Sequence, residues 1–197
     1  MSNMINQSKT GTVSIAGTVT ASGQTVSVAG AGTYTETTSA ATFEGVAGLR
    51  KHVDLSGSVS ANGQTAPLSA STDAYYDSNY KPLGSTSAGA YCVTTAYTSL
   101  PANAPAGTSG TWISQDCYAS SAKTSKIGSG TVTYTVEADS ANSLILRLTT
   151  RVTDSAGNVL PSTASYRVTT TGATSRLTDA VTVTVNGASA NLTISYQ

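Results

Sequence analysis

The feature that most constrains the fold is the alternation of apolar residues with threonine or serine in short segments. Residues 131–136 read TVTYTV and residues 181–185 read VTVTV, so every second side chain is apolar. A strand places alternate side chains on opposite faces, whereas an amphipathic helix needs apolar residues three or four positions apart. The pattern therefore predicts antiparallel strands, each with one buried and one hydrated face.

The alternation is most regular in residues 128–197, which we predict to form a five-stranded antiparallel meander. In the second of these strands Leu144, Leu146 and Leu148 share one face, and Arg147 occupies the other. Polar or glycine-containing corners separate the strands. These corners lie at residues 138–143, 154–158, 172–175 and 186–189.

Two hairpins are predicted in the N-terminal part of the chain. Residues 11–37 contain a turn at Ser22–Gly23, and residues 57–71 repeat the plan with a turn at Asn62–Gly63. Asn followed by Gly between alternating segments is the strongest short-range signal for a two-residue hairpin turn.

Two other stretches do not alternate in this way. Residues 1–10 have no regular pattern, and we predict a flexible N-terminal segment. Residues 40–52 place Phe43, Val46 and Leu49 at a helix-like spacing. Because this stretch contains two glycines, we predict at most one or two helical turns near residues 40–52.

The middle segment, residues 71–127, contains both cysteines, Cys92 and Cys117. Their even number, in a chain poor in charge, favours one disulfide closing a loop of about 25 residues and contributing about 3 kcal/mol. Two unpaired thiols in a reducing compartment are the alternative. Strands at residues 91–97 and 111–118 would flank a long exposed loop at residues 99–110, with the disulfide away from it.

Together these segments predict a single all-β domain over residues 1–197, with about 11–12 short strands. Strands at this spacing, joined by polar turns, form either an antiparallel β-sandwich or a curved, partly closed barrel. The sequence does not choose between the two.

The charge pattern argues against a nucleic acid partner. Charged residues make up 10% of the chain, and ten acidic residues balance ten basic ones. Arg50 and Lys51 form the only adjacent basic pair, whereas binding to phosphates requires clustered lysines and arginines.

The composition, rich in serine and threonine, indicates an exported protein that is periplasmic, anchored to the outer membrane or extracellular. No run approaches the roughly 18 apolar residues of a membrane-spanning helix, so we expect no transmembrane segment. The first residues lack the charged-then-apolar layout of a signal peptide. We therefore expect that an upstream targeting segment, or an upstream cysteine with a lipid anchor, has been removed.

Residues suited to catalysis are few and scattered. His52 is the one histidine and has neither a nucleophile motif nor further metal ligands nearby, so we predict no catalytic residue, metal or cofactor. Asp73, Asp77 and Asp116 could supply the paired carboxylates of a glycan-acting enzyme, and Asp73 and Asp77 could bind calcium. We favour their interpretation as turn-forming and solvated acids.

Aromatic residues concentrate in the middle segment and form a candidate ligand-binding site. Exposed aromatic rings on a β scaffold offer flat surfaces for sugars, peptides or apolar ligands, and packing in the core is the alternative role. Because Tyr75 and Tyr76 are adjacent, they must point to opposite faces of a strand. The candidate residues are Tyr75, Tyr76, Tyr80, Tyr91, Tyr97, Trp112 and Tyr118.

Three phrases of the sequence carry a resemblance to known proteins: YYDSNYKPLG at residues 75–84, AYCV at residues 90–93 and DCYASSAK at residues 116–123. In its composition and local sequence pattern the chain resembles uncharacterised exported or lipoprotein-type β-rich proteins of Gram-negative bacteria. The resemblance brings no site residues with it. In length and in its curved antiparallel sheet the chain is more distantly similar to lipoprotein-carrier half-barrels, although it has little helix to fill a concave side.

These observations lead to three functional hypotheses. The leading one is a non-enzymatic exported cell-envelope or surface protein with a structural, adhesive or binding role. The alternative is a carrier or binder of a hydrophobic or glycan ligand in a barrel-like cavity, and the third is a glycan-acting enzyme that uses the three aspartates. Candidate partners are a glycan, an apolar ligand or another protein. Strands with few edge charges would also allow self-association through sheet edges.

Overall fold

Twelve antiparallel strands form a closed barrel in the computed structural model. The structure describes residues 2–101, 103–155, 157–185 and 188–197. One short helix, α1 (Ser2–Asn6), precedes the strands. The strands are β1 (Lys9–Ala21), β2 (Gln24–Phe43), β3 (Val46–Ala61), β4 (Gln64–Asp77), β5 (Pro82–Ser87), β6 (Ala90–Tyr97), β7 (Ser109–Tyr118), β8 (Lys126–Ser140), β9 (Ser143–Asp154), β10 (Val159–Thr169), β11 (Thr174–Val185) and β12 (Ala188–Tyr196).

Each strand pairs with its neighbours in sequence, and β1 pairs with β12 to close the sheet. This seam runs from Val13 opposite Tyr196 to Thr20 opposite Ser189. The prediction of an all-β fold with about twelve strands is confirmed, and the barrel replaces the alternative of a sandwich. Closure pairs β1 with β12, but among the described strands residues 64–71 of β4 pair only with β3, because β5 pairs with β4 over residues 72–76 alone. This segment of β4 is a free sheet edge, so self-association through a sheet edge stays a prediction.

The alternation of the sequence separates the inside of the barrel from the outside. Val132, Tyr134 and Val136 of β8 are buried in a cluster with Leu148, while the threonines between them are exposed or half-buried. Arg147 lies on the outer face, as predicted, in an ion pair with Glu137. A second cluster lines the lumen near the seam. It consists of Val13, Ile15, Tyr34, Leu55 and Ile194.

The stretch with helix-like spacing, residues 40–52, contains no helix. It forms the end of β2 and the start of β3, joined by a two-residue turn at Glu44 and Gly45 with φ values of 50° and 78°. Two positive φ values in succession match the right-handed twist of the paired strands. The spacing of three apolar residues is therefore outweighed by hairpin pairing. The predicted turns at Ser22–Gly23 and Asn62–Gly63 have the same geometry.

The N-terminal segment, predicted to be flexible over residues 1–10, instead packs at one end of the barrel. Ile5 of α1 is only 1% exposed. The Thr38 hydroxyl donates to the Ile5 carbonyl at 2.5 Å, and Lys51 Nζ donates to the carbonyls of Met4 and Gln7 at 3.1 and 2.7 Å. Side chains of β2 and β3 thus satisfy the carbonyls that so short a helix leaves free. We call this end of the barrel, which also holds the β6–β7 loop, the helix end.

The disulfide between Cys92 and Cys117 is present and joins directly opposite residues of β6 and β7. It indicates an oxidising compartment, as expected for an exported protein. The described residues of the β6–β7 loop are mostly exposed, as predicted, but Leu100 and Ala104 pack against the lumenal cluster. No helix in the described part of the chain is long and apolar enough to span a membrane.

Parts of two predicted corners lie outside the described residues. They are Ala156 in the corner at residues 154–158 and Asn186 and Gly187 in the corner at residues 186–189.

Candidate functional site

The lumen contains two adjoining cavities at the helix end. The polar cavity, of about 220 Å³, is lined by charged and phenolic side chains. The apolar cavity, of about 470 Å³, is lined mainly by aliphatic side chains of β8, β9 and β10 and by the β6–β7 loop. Met4 and Thr174 border both cavities. The apolar cavity is lined by Leu100, Pro101, Ala104, Tyr134, Val136, Leu144, Leu146 and Val168.

A network of charged side chains crosses the polar cavity. Glu36 on β2 accepts hydrogen bonds from Lys51 Nζ at 2.8 Å and from Arg176 Nη1 at 3.1 Å. Arg176 also binds Asp179 through Nη2 at 2.6 Å, and the Tyr196 hydroxyl donates to the same carboxylate at 2.6 Å. The Arg176 guanidinium lies 4.7 Å from the centre of the Tyr196 ring, which is within reach of a cation–π interaction.

Alternation explains why Glu36 and Lys51 point inward. Glu36 follows the buried Tyr34 by two residues on β2, and Lys51 precedes Val53 and Leu55 on the inward face of β3. Burial works to raise the pKa of Glu36, but hydrogen bonds and positive charge from Lys51 and Arg176 outweigh it and lower that pKa below its ordinary value. The carboxylate is therefore held ionised.

Lys9 is the third cation of the polar cavity, and its environment differs from that of the other two. Its Nζ donates to the backbone carbonyl of Thr174 at 2.6 Å, across the barrel seam. Lys51 and Arg176 are paired with Glu36 and Asp179, whereas Lys9 forms no ion pair with a carboxylate among the described residues. Positive charge thus exceeds negative charge by one in this part of the lumen.

Asp73 also borders the polar cavity, but its carboxylate lies on the outer face. It is 2.6 Å from His52 Nδ1, and His52 Nε2 is 2.7 Å from Asp54. The hydrogen bond that His52 donates to the Asp73 carboxylate is the largest contribution that raises the pKa of His52. Both ring nitrogens are occupied by carboxylates, so His52 has no free nitrogen for a nucleophile or metal in this arrangement.

A third lumenal space, of about 320 Å³, lies next to the polar cavity and shares Tyr76, Tyr166 and Arg176 with it. Trp112 lines this space and is only 5% exposed. Its Nε1–H has no hydrogen-bond acceptor among the described residues. A buried indole N–H without a partner is costly, so an acceptor inside the cavity would be stabilising there.

The seven predicted aromatic residues do not form one surface. Tyr76 and Trp112 line lumenal cavities, and Tyr97 packs against the cluster around Trp112. Tyr80 lies at the helix end, where its hydroxyl accepts a hydrogen bond from Asn6 Nδ2 at 2.7 Å. The remaining three lie on the outer face. They are Tyr75, Tyr91 and Tyr118, the last two being opposite each other in β6 and β7.

Tyr75 and Tyr91 are covered by the tip of the β2–β3 hairpin. Phe43 stacks on both rings, with centroid distances of 4.4 and 5.0 Å, and is 4% exposed. Glu44 accepts a hydrogen bond from the Tyr91 hydroxyl at 2.6 Å and is paired with Lys123. These two tyrosines therefore build a small core with Phe43 on the outside of the barrel.

The three candidate acids also remain separate. Asp77 accepts hydrogen bonds from the backbone N–H groups of Asn79 and Lys81, as a turn former does, and Asp116 is paired with Lys126 at 2.7 Å. Four residues of strand separate Asp73 from Asp77, or about 13 Å, which exceeds the roughly 5–10 Å of paired catalytic carboxylates. No group of three or more metal-ligating side chains occurs in the described ranges.

Sequence reasoning missed the charged residues of the lumen. A signal was present for Lys9, Glu36, Lys51 and Asp179, which stand in phase with the apolar residues of their strands. Arg176 is out of phase and faces inward because of a β-bulge between β10 and β11. The mutual proximity of these charges carried no local signal, since Glu36 and Arg176 are 140 residues apart. The missed residues are Lys9, Glu36, Lys51, Tyr166, Arg176, Asp179 and Tyr196.

Comparison of the chain with models of protein families, with curated proteins and with solved structures finds no match.

Proposed function

We propose that this is a non-enzymatic binding protein that holds a small, mainly apolar ligand inside its barrel. The observation that carries the proposal is the apolar cavity of about 470 Å³ at the helix end. Ligand pockets are typically concave, mostly apolar and about 300–1,000 Å³ in volume, with a few polar groups that orient the ligand. The disulfide is consistent with action in the periplasm, at the outer membrane or outside the cell.

The barrel wall supports this role because side-chain contacts stabilise it on both faces. Both faces of the sheet are engaged, the outer one by the stack around Phe43 and the inner one by the Glu36 network. A lumen held open by a closed sheet keeps its shape without a ligand, so binding would require little reorganisation.

Entry to the apolar cavity is at the helix end. Asn3 and Met4 of α1 and Leu100 and Pro101 of the β6–β7 loop form part of its lining. α1 and the β6–β7 loop are the parts of this wall that lie outside the strand pairing, so they are the parts that can move aside most readily.

The proposal is tested with the neutral fluorescent probe N-phenyl-1-naphthylamine. We expect saturable binding with increased probe fluorescence and a change in emission of Trp112, the single tryptophan. Ala104→Phe fills the cavity from the loop and should weaken binding about tenfold or more. Ala106→Phe is the matched control, because Ala106 lies in the same loop and is exposed.

Absence of saturable binding to the wild-type protein would overturn the proposal and leave a structural or adhesive role in the cell envelope. Equal binding by the two phenylalanine variants would overturn it as well, because the probe would then bind elsewhere. A glycan array run in parallel separates the apolar ligand proposed here from a sugar.

A further inference from the structure

We propose that the ligand is an amphipathic carboxylate, with its head group at Lys9 and its apolar tail in the apolar cavity. This inference rests on the function proposed above and adds the chemical class of the ligand. It follows from the position of Lys9, from the hydrogen-bond capacity of the three lumenal cations and from the charge balance of the polar cavity.

Lys9 stands where the two cavities meet. It lines the polar cavity, and the residue whose carbonyl it binds, Thr174, borders the polar and the apolar cavity alike. A chain molecule lying along the apolar cavity would thus bring one end to the Lys9 ammonium group. The other wall of this junction is Met4 of α1.

Hydrogen-bond capacity separates Lys9 from Lys51. An ammonium group has three N–H donors. Those of Lys51 are used by Glu36 and by the carbonyls of Met4 and Gln7. Lys9 donates to Thr174 and forms no other hydrogen bond among the described residues. Two of its donors are therefore available to the oxygens of a bound anion.

Arg176 retains two of its five N–H donors, but each of its three nitrogens already binds a carboxylate, so its charge is compensated. Its Nε and Nη2 bind the two oxygens of Asp179, and its Nη1 binds Glu36. Its side chain is 16% exposed and its guanidinium lies over the Tyr196 ring. Arg176 contributes positive potential to the cavity but is not the group expected to bind the head group directly.

The charge balance favours a single negative charge. Lys9, Lys51 and Arg176 lie close to two lumenal carboxylates, those of Glu36 and Asp179, so positive charges exceed negative ones by one. Lys9 is opposite Glu36 in the pairing of β1 with β2, but Glu36 forms its ion pairs with Lys51 and Arg176. A charge in a partly buried site is more stable when it is paired and hydrogen-bonded. A monovalent anion at Lys9 would balance the charges of the lumen, whereas a cationic head group would increase the excess of positive charge.

The test compares three ligands built on a ten-carbon chain: decanoate, methyl decanoate and decyltrimethylammonium. Each is titrated against bound N-phenyl-1-naphthylamine at neutral pH. We expect decanoate to displace the probe at about tenfold lower concentration than its methyl ester, because a charge-assisted hydrogen bond is stronger than a neutral one. Decyltrimethylammonium should be the weakest competitor.

Lys9→Gln keeps a hydrogen-bond donor for the Thr174 carbonyl and removes the charge. The preference for decanoate over the ester should disappear in this variant, while binding of the ester should change by less than about twofold. Unchanged ester binding also shows that the barrel is folded. Lys9→Arg should restore the preference, and Lys81→Gln, which removes an exposed charge from the β4–β5 loop, should retain it.

Equal displacement by the acid and the ester in the wild-type protein would overturn this inference, as would a preference for decanoate that survives in Lys9→Gln. In both cases N-phenyl-1-naphthylamine would still bind, and the proposed function would stand. Failure of the probe itself to bind would overturn the proposed function, so the two failures are distinguishable.

Discussion

Close approach of Gly84 and Phe43 is a tight constraint at the scale of single residues. A Cβ atom at Gly84 would lie 2.2 Å from the carbonyl oxygen of Cys92 and 2.5 Å from the Phe43 ring. Only a residue without a side chain allows the hairpin tip to cover Tyr75 and Tyr91 at this point. Gly84 thus determines whether the outer stack forms, and nothing in the local sequence marks it for that role.

Gly84→Ala should therefore destabilise the protein. We expect the free energy of unfolding in guanidinium chloride to fall by about 1–3 kcal/mol, as for other substitutions that overfill a packed site. Ser87→Ala, at an exposed position of the same strand, should change it by less than about 0.5 kcal/mol. A Gly84→Ala variant as stable as the control would show that Phe43 is not held against this glycine.

The face of the sheet on which a side chain lies could be predicted from the sequence, but the residues that it contacts could not. Alternation placed Tyr75 and Tyr76 on opposite faces, and the structure has Tyr76 in the lumen and Tyr75 outside. The same alternation cannot tell that Phe43 from a neighbouring hairpin covers Tyr75. Nor can it bring Lys9 to Thr174, because that contact depends on closure of the sheet.

At the scale of elements, strands with strong local signals were predictable and those shaped by distant contacts were not. The five C-terminal strands have regular alternation and short polar corners, and all five are present. Helix α1 has five residues, too few to be stable alone, and forms because Lys51 and Thr38 bind its carbonyls. Residues 40–52 have a weak helical spacing, but they form a hairpin because strand pairing around the Glu44–Gly45 turn is more stable.

The disulfide is the element-scale contact whose removal is simplest to measure. Cys92 and Cys117 enclose a sequence separation of 25 residues, including the β6–β7 loop that borders the apolar cavity. The double variant Cys92→Ser, Cys117→Ser should lose about 3 kcal/mol of unfolding free energy, because the unfolded chain regains the freedom of that loop. Reduction of the wild-type protein should cause a similar loss. A double variant that unfolds at the wild-type denaturant concentration would contradict this.

Closure of the barrel is a property of the whole molecule that no segment of the sequence encodes alone. A sandwich and a barrel use the same alternating strands and polar turns, so local patterns are compatible with both. What distinguishes them is the pairing of β1 with β12, the first strand with the last. The Glu36 network lies close to this seam, since it joins β2 and β3 to β11 and β12 through Arg176 and Asp179.

This network should make stability depend on the ionisation of Glu36. Its pKa is lowered in the folded protein, so its stabilising contribution is complete above the ordinary value of 4.5 and is lost as pH falls through the lower, folded value. Glu36→Gln should lower the free energy of unfolding by about 3 kcal/mol at neutral pH, because Lys51 and Arg176 would lose a buried negatively charged partner. The difference in the free energy of unfolding between Glu36→Gln and the wild-type protein should become smaller as the pH is lowered below 4.5.

Glu137→Gln is the matched control for this substitution, because Glu137 is also paired with an arginine but on the outer face, where its side chain is 41% exposed. An exposed pair contributes less than about 1 kcal/mol, and added salt should remove most of that. Guanidinium unfolding of both variants over a series of pH values measures the contrast. Equal losses at neutral pH, or a Glu36→Gln deficit that persists in acid, would mean that the lumenal charges do not brace the closed barrel.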